Sequence, residues 1–292
     1  MAKKNKKNKM INDRKLIRSI NSSLSNGMEN FSKQGSELWE IALVNKTYAQ
    51  KVAISYLIER VLSSARNCCR LHYIYPRQSA QDMASMSRGM FESVINVLYL
   101  LTDNDQSKLA SFWKLSIKEE QSYDTHLSKW CESESDDLAY SAHSERESRL
   151  TTPENISDLM QKEFGFCIDT ATKWPPLYKR AKRVGEIWEY FYDLRYRAYS
   201  TWQHGDLSRA ILSPCISIDL PNMKDRAQSE GISVLSWCHE VMFQFLLELN
   251  VLVGTKDREQ VIRDIHSYTI NKTEPLIGYW RLEHPTDPET IN

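Results

Sequence analysis

The segment RYRAYSTWQHGD, residues 195–206, places an arginine and a histidine on one side of a predicted helix. Arg197 and His204 are seven residues apart, which on an α-helix leaves them about 20° apart in azimuth and about 10.5 Å apart along the axis. An arginine is a permanent cation with a forked donor face suited to phosphate, and a histidine can transfer protons near neutral pH. The pair therefore predicts cleavage of RNA without a metal, with both residues catalytic. Asp193 and Ser200 extend the same stripe and are predicted to support the pair.

A second polar stripe lies on a second predicted helix, residues 79–101. Arg88, Glu92 and Asn96 follow one another at four-residue steps and share one face of an otherwise apolar segment. An arginine and a glutamate in such a segment cost desolvation energy unless they are well partnered. Two interpretations stay open. These residues form a shell around an RNA or nucleotide site, or the polar residues of the two helices simply bind one another and hold the helices in register.

The segment KWPPLYKRAKR at residues 173–183 combines positive charge with aromatic side chains. Such a combination can hold single-stranded nucleic acid by charge and by stacking of the bases. The alternative is the solvated start of a helix whose aromatic residues pack inward. The residues predicted to contact nucleic acid are Lys173, Trp174, Lys179, Arg180, Lys182 and Arg183.

The two helices together resemble a family of uncharacterised, all-helical bacterial proteins. That family carries an R-x3-E helix followed by a helix with Tyr-Ser or Leu-Ser three residues before His-Gly. The resemblance covers about residues 50–210, and it implies a supporting role for the tyrosine of the second motif. The matching residues here are Arg88, Glu92, Tyr199, Ser200, His204 and Gly205.

A looser resemblance is to the HEPN superfamily (higher eukaryotes and prokaryotes nucleotide-binding). Its members are helical bundles, often dimeric, and carry an arginine separated from a histidine by four to six intervening residues; Arg197-x6-His204 resembles this motif. Many are metal-independent ribonucleases of toxin–antitoxin, abortive-infection and CRISPR systems. The resemblance implies RNA as substrate, a homo-oligomer, and a role as effector in bacterial defence, alone or with a partner protein of such a system.

Composition excludes several classes of protein. Lysine and arginine together equal aspartate and glutamate at 38 each, so net charge indicates no partner. The six cysteines form no C-x-x-C pair and no zinc-binding spacing, and neither a metal nor a cofactor is expected. No signal peptide and no uninterrupted apolar run of about 18 residues are present, so we expect a cytoplasmic protein that does not associate with a membrane.

The elements that position these residues are predicted to be helices throughout. Glycine and proline are scarce at nine each, which disfavours an all-β fold, and apolar residues recur at helical spacing. We predict a single all-α bundle of about seven to nine helices with a HEPN-like core. Its boundaries are a disordered basic tail at 1–12, a helical domain at 13–270 with an acidic loop or insertion at 131–152, and an irregular C-terminal tail at 271–292.

Two functions remain compatible with this pattern. The first is a HEPN-like, metal-independent endoribonuclease that acts as the effector of an anti-phage or toxin–antitoxin system. The second is a non-catalytic helical sensor or scaffold that binds a partner protein or nucleic acid.

Overall fold

A computed structural model describes the chain at residues 2–76, 79–102, 106–148, 155, 157–158, 161–162, 171–203 and 223–283. This part of the chain contains helices and no strand, which confirms the predicted all-α fold of seven to nine helices. The helices with full bounds are α1 (Ala2–Leu43), α2 (Tyr48–Ile74), α3 (Ala80–Thr102), α4 (Gln106–Cys131), α5 (Asp136–Ser148), α6 (Leu177–Val184), α7 (Glu186–Phe191 and Arg197–Gln203, joined by the π-helical turn Tyr192–Tyr196), α8 (Met223–Val253) and α9 (Glu259–Glu283).

Helix α3 lies at the centre of the bundle. It packs against α2, α6, α7 and α8, while α1 packs against α2, α8 and α9. Apolar side chains surround most of α3, and Met83, Phe91 and Leu98 have no exposed surface. Because α3 is buried on several sides, any charged residue on it must find its partners on the neighbouring helices.

A short turn at residues 44–47 separates α1 from α2. Thr47 caps α2: its backbone N–H donates to Gln50 Oε1 at 3.0 Å, and its side chain accepts from the Gln50 backbone N–H at 3.4 Å. Such a capping box satisfies backbone groups that a new helix would otherwise leave unpaired.

The ends of the chain are more helical than the sequence predicted. Residues 2–12, predicted as a disordered tail, form the first turns of α1; they include no glycine or proline, and lysine and alanine favour helix. Residues 271–283, predicted as irregular, belong to α9 despite Pro275. The cost of that proline is offset by the burial of Trp280, whose indole N–H donates to Ser229 Oγ at 2.7 Å.

The acidic segment at 131–152 also differs from the predicted loop, since residues 136–148 form α5. Two aspartates occupy its first turn, where the positive end of the helix dipole favours them. Arg146 pairs with Asp124 of α4 at 3.4 Å, and Ala142 is buried. These contacts fix α5 to α4.

One helical segment, Gln228–Val253 of α8, is long and apolar enough to cross a membrane by length and composition. Most of it, 67%, is buried inside the bundle. A central core helix meets the same criteria, so this feature by itself is weak support for a membrane span.

Candidate functional site

The polar stripe of α3 meets α7 at a tyrosine. Arg88 Nη2 donates to the Tyr196 hydroxyl at 2.8 Å, and that hydroxyl donates to Glu92 Oε1 at 2.5 Å. Arg88 Nη2 and Glu92 Oε1 are themselves 3.7 Å apart. The structure thus brings together the predicted arginine and glutamate, and adds Tyr196, a residue that the sequence analysis did not single out.

A π-helical turn sets the position of this tyrosine. Residues 192–196 form a widened turn within α7, a feature that often re-aims side chains at functional sites. The Tyr196 ring stacks on Tyr192, with centroids 5.1 Å apart, and packs on Phe91 of α3 at 5.5 Å. Burial and the hydrogen bond to Glu92 raise the pKa of Tyr196 to about 12, so the phenol keeps its proton and acts as a donor.

A second buried arginine lies on α6. Arg180 is only 8% exposed, and its guanidinium carbon lies 5.0 Å from the centroid of the Trp174 ring. Its Nε donates to the Pro175 carbonyl at 2.9 Å. Burial lowers the pKa of Arg180 to about 10, opposed by the charge of Glu92. The residue therefore stays charged at neutral pH.

Several buried polar atoms of these helices have no hydrogen-bond partner among the described residues. They are the Nε and Nη1 groups of Arg88, the Nη1 group of Arg180 and the side-chain oxygen of Asn96. Arg88 is paired with Glu92, and a buried donor without a partner costs free energy comparable to a lost hydrogen bond.

The basic segment at residues 173–183 contains both buried and exposed members of the predicted nucleic-acid site. Trp174 is buried and packs against Tyr99 and Phe112 with centroids 5.3 and 5.2 Å apart, so its predicted role as a stacking surface for bases is wrong. Arg180 is likewise a buried residue and does not belong to a basic surface. The exposed members are Lys173, Lys179, Lys182 and Arg183.

The predicted catalytic arginine lies on the outer face of α7. Arg197 Nη1 is 3.5 Å from Asp193 Oδ1, and the two side chains are 69% and 54% exposed. Tyr199 points inward and packs on Trp237 at 5.2 Å, whereas Ser200 is half-buried. Asp193, predicted only to lie on the same stripe in a supporting role, thus contacts the guanidinium of Arg197.

Other predicted site residues are not brought together with this arginine. Among the described residues, Arg88 and Glu92 contact α7 through Tyr196, and neither forms a hydrogen bond or an ion pair with Arg197. His204, the predicted catalytic partner, lies outside the described residues, as does Gly205.

The described residues contain no group of three or more histidine, cysteine, aspartate and glutamate side chains that could hold a metal ion. Comparisons with known proteins give no match: no family model, no curated protein and no solved structure is similar to this chain. The site must therefore be interpreted from its own geometry.

Proposed function

We propose that this protein acts on RNA in the bacterial cytoplasm as a metal-independent endoribonuclease, the effector of an anti-phage or toxin–antitoxin system. Arg197 and His204 are its catalytic pair. The observation that carries the proposal is the placement of Arg197 on the outer face of α7, accessible to a large substrate and paired with Asp193. Exposed basic residues of α6 supply further positive charge for the RNA backbone.

The chemistry assigned to this pair needs no metal. His204 takes the proton of an RNA 2′-hydroxyl, the 2′-oxygen attacks the adjacent phosphorus, and the bond from phosphorus to the 5′-oxygen breaks. The histidine then returns the proton to the leaving 5′-oxygen. Arg197 stabilises the charge that develops on the non-bridging phosphate oxygens, and Asp193 orients the guanidinium. A homodimer would bring a second pair to the same substrate.

The test is incubation of RNA with the purified protein in EDTA. Wild type is expected to cut, and His204→Ala and Arg197→Ala are each expected to lose about 100-fold or more in rate. Arg195→Ala is the matched control, because it removes an exposed arginine from the same helix. Absence of cutting by wild type, or equal cutting by all four proteins, would refute the catalytic proposal.

A non-catalytic sensor or scaffold is the second candidate, and one observation favours it. Arg88, Glu92 and Tyr196 bind one another, as expected of a network that holds α3 and α7 in register. On this proposal the basic residues of α6 bind a partner protein or nucleic acid. Arg88→Ala would then lower the melting temperature by several degrees, and the protein would bind its partner without any cleavage activity.

A further inference from the structure

We propose that the tip of the α4–α5 hairpin of one molecule docks into a cavity between α1 and α2 of a second copy of this chain. The cavity is lined by an excess of positive charge, and the tip is acidic and exposes large apolar side chains. The proposal specifies the interface of the homodimer invoked above and does not require that the protein cut RNA.

The cavity lies between the middle of α1 and the second half of α2, opens to solvent, and has a volume of about 710 Å³. Its lining extends from Asn21 to Ser36 on α1, which is about 22 Å along the helix axis. Met28, Leu62 and Cys69 are buried and contribute apolar surface to it. Four serines of α1 also line it, and such small side chains leave room for a helical partner between the two helices.

The charged residues of this cavity are not balanced. Its only acidic residue, Glu29, pairs with Lys33 of the same helix at 3.8 Å. Arg66 and Arg70 line the cavity one turn apart on α2, are exposed, and form no ion pair with any described residue. The Nε group of Arg66 donates only to the carbonyl of Leu62 in its own helix, at 3.3 Å. The two arginines therefore give the cavity a positive charge that attracts an acidic partner.

Helices α4 and α5 form a two-helix arm on the bundle. The first turns of α4 are anchored, since Lys114 Nζ donates to the Ala171 carbonyl at 2.9 Å. Beyond this point the buried side chains of Ile117, Leu127 and Ala142 do not belong to the main core of the bundle. Among the described helices, α5 packs against α4. The arm thus presents its far end, the turn between its helices, away from its anchor.

The turn at the end of this arm, residues 131–135, is acidic. Glu132 and Glu134 are exposed within it, Asp136 and Asp137 begin α5, and no lysine or arginine occurs between residues 130 and 142. Large apolar side chains beside the turn are at least half exposed; they are Trp130 at 50%, Leu138 at 50% and Tyr140 at 76%. Exposed apolar surface rimmed by charged residues is typical of a protein–protein interface.

The tip and the cavity complement each other in charge, apolar character and size. Tyr73 and Ile74 line the cavity with 63% and 60% of their surface exposed, and they offer apolar surface to the side chains of the tip. Two packed helices are together about 20 Å across, so the end of the arm fits along a cavity about 22 Å long. Because both surfaces belong to one chain, copies associate without another partner, and mutual docking closes a dimer.

The experiment is a charge swap, followed by sedimentation velocity of the full chain. Wild type is expected to associate at about 100 µM and to dissociate as sodium chloride is raised from about 50 to about 500 mM, since exposed charges are screened. Arg66→Glu with Arg70→Glu reverses the cavity, and Glu132→Lys with Glu134→Lys reverses the tip. Each pair should weaken self-association about 100-fold or more, because like charges then meet. A chain with all four substitutions should associate again.

The matched control is Arg60→Glu with Arg195→Glu, which reverses two exposed arginines that do not line the cavity and should associate like wild type. Recovery in the fourfold variant distinguishes a docked pair of surfaces from damage to the fold, since added substitutions do not repair a misfolded chain. A wild type that stays monomeric up to about 100 µM, association that neither reversal weakens, or no recovery in the fourfold variant would each overturn the proposal.

A photo-crosslink locates the contact. Tyr140 is replaced by p-benzoylphenylalanine, and this protein is mixed at low salt with isotopically labelled wild type before irradiation. Crosslinks to labelled peptides within residues 21–36 or 62–74 are expected, and crosslinks confined to other regions would contradict the proposal. Both measurements follow association alone, so they remain decisive even if no RNA is cut.

Discussion

The Tyr196 hydroxyl donates a 2.5 Å hydrogen bond to the Glu92 carboxylate and so joins the π turn of α7 to the polar stripe of the central helix. The same hydroxyl accepts from Arg88. The Tyr196 hydroxyl therefore bridges the Arg88 guanidinium and the Glu92 carboxylate, which are 3.7 Å apart. The relative positions of Arg88 and Glu92 therefore depend on Tyr196.

Tyr196→Phe is expected to lower the free energy of unfolding by about 1–3 kcal/mol, because Arg88 and Glu92 each lose a hydrogen bond in a partly buried site. Urea denaturation followed by circular dichroism measures the change. Tyr190→Phe is the control: Tyr190 is exposed on the same helix, and its loss of a hydroxyl should change stability by less than about 0.5 kcal/mol. Equal effects of the two substitutions would contradict this account.

Two buried histidines should make the fold sensitive to acid. Burial lowers the pKa of His72 from 6.5 to about 4, and burial with the charge of His266 lowers the pKa of His239 from 6.5 to about 3. Below pH 6.5 the unfolded chain binds protons that the native state does not bind. Stability is therefore complete above pH 6.5 and falls as the pH drops toward 4, by about 1.4 kcal/mol per pH unit for each histidine.

The slope of unfolding free energy against pH tests this expectation. His239→Leu removes one titrating group and should flatten the slope between pH 6 and about 4, whatever its effect on stability at neutral pH. If the slope for His239→Leu equals the slope for wild type, His239 does not contribute to the loss of stability in acid.

Glycine is required at two close helix contacts. A Cβ at Gly231 would lie 2.5 Å from the His72 ring, and a Cβ at Gly27 would lie 2.6 Å from Thr269 Oγ1. Gly231→Ala and Gly27→Ala should each destabilise the fold by about 1–3 kcal/mol through overpacking. Gly278→Ala, where nothing lies within 4 Å, should instead stabilise α9 by about 0.5–1 kcal/mol. Thermal denaturation of the three variants measures these changes. A stabilised Gly231→Ala or Gly27→Ala, or a destabilised Gly278→Ala, would contradict this account.

The cysteines should differ sharply in reactivity. A hydrogen bond with Cys68, together with burial, raises the pKa of Cys238, and burial raises the pKa of Cys69 to about 11. Thiols in this state are poor nucleophiles. Iodoacetamide at pH 8 should label the partly exposed Cys131 of the native protein and spare Cys69 and Cys238, which mass spectrometry of the peptides resolves. Labelling of Cys69 at the rate of Cys131 would contradict the expectation.

The sequence was sufficient to predict the helical fold and the stripe on α3. Spacing of apolar residues predicted α3 at 79–101, close to its observed bounds, because a buried helix must repeat apolar residues every three or four positions. The same spacing placed Arg88 and Glu92 on one face. Their contact with Tyr196 was not predictable, because the π turn shifts the register of α7 relative to a regular helix.

Other differences come from tertiary packing that local sequence does not show. Trp174 sits among basic residues in the sequence, yet it packs on Tyr99 and Phe112 from two other helices. Pro275 indicated an irregular tail, yet the contact of Trp280 with Ser229 of α8 holds α9 in place beyond the proline. Tyr192, Tyr196 and Tyr199 follow one another at steps of four and three residues. This helical spacing was a signal in the sequence that the three tyrosines share one face of α7.

The most direct test of the central claim is end-group analysis of RNA cut by the purified protein in EDTA. Attack by the 2′-oxygen predicts products with a 2′,3′-cyclic phosphate at one end and a 5′-hydroxyl at the other, formed by wild type and Arg195→Ala and lost in His204→Ala. Products with 3′-hydroxyl and 5′-phosphate ends, or the same products at the same rate from His204→Ala, would contradict it.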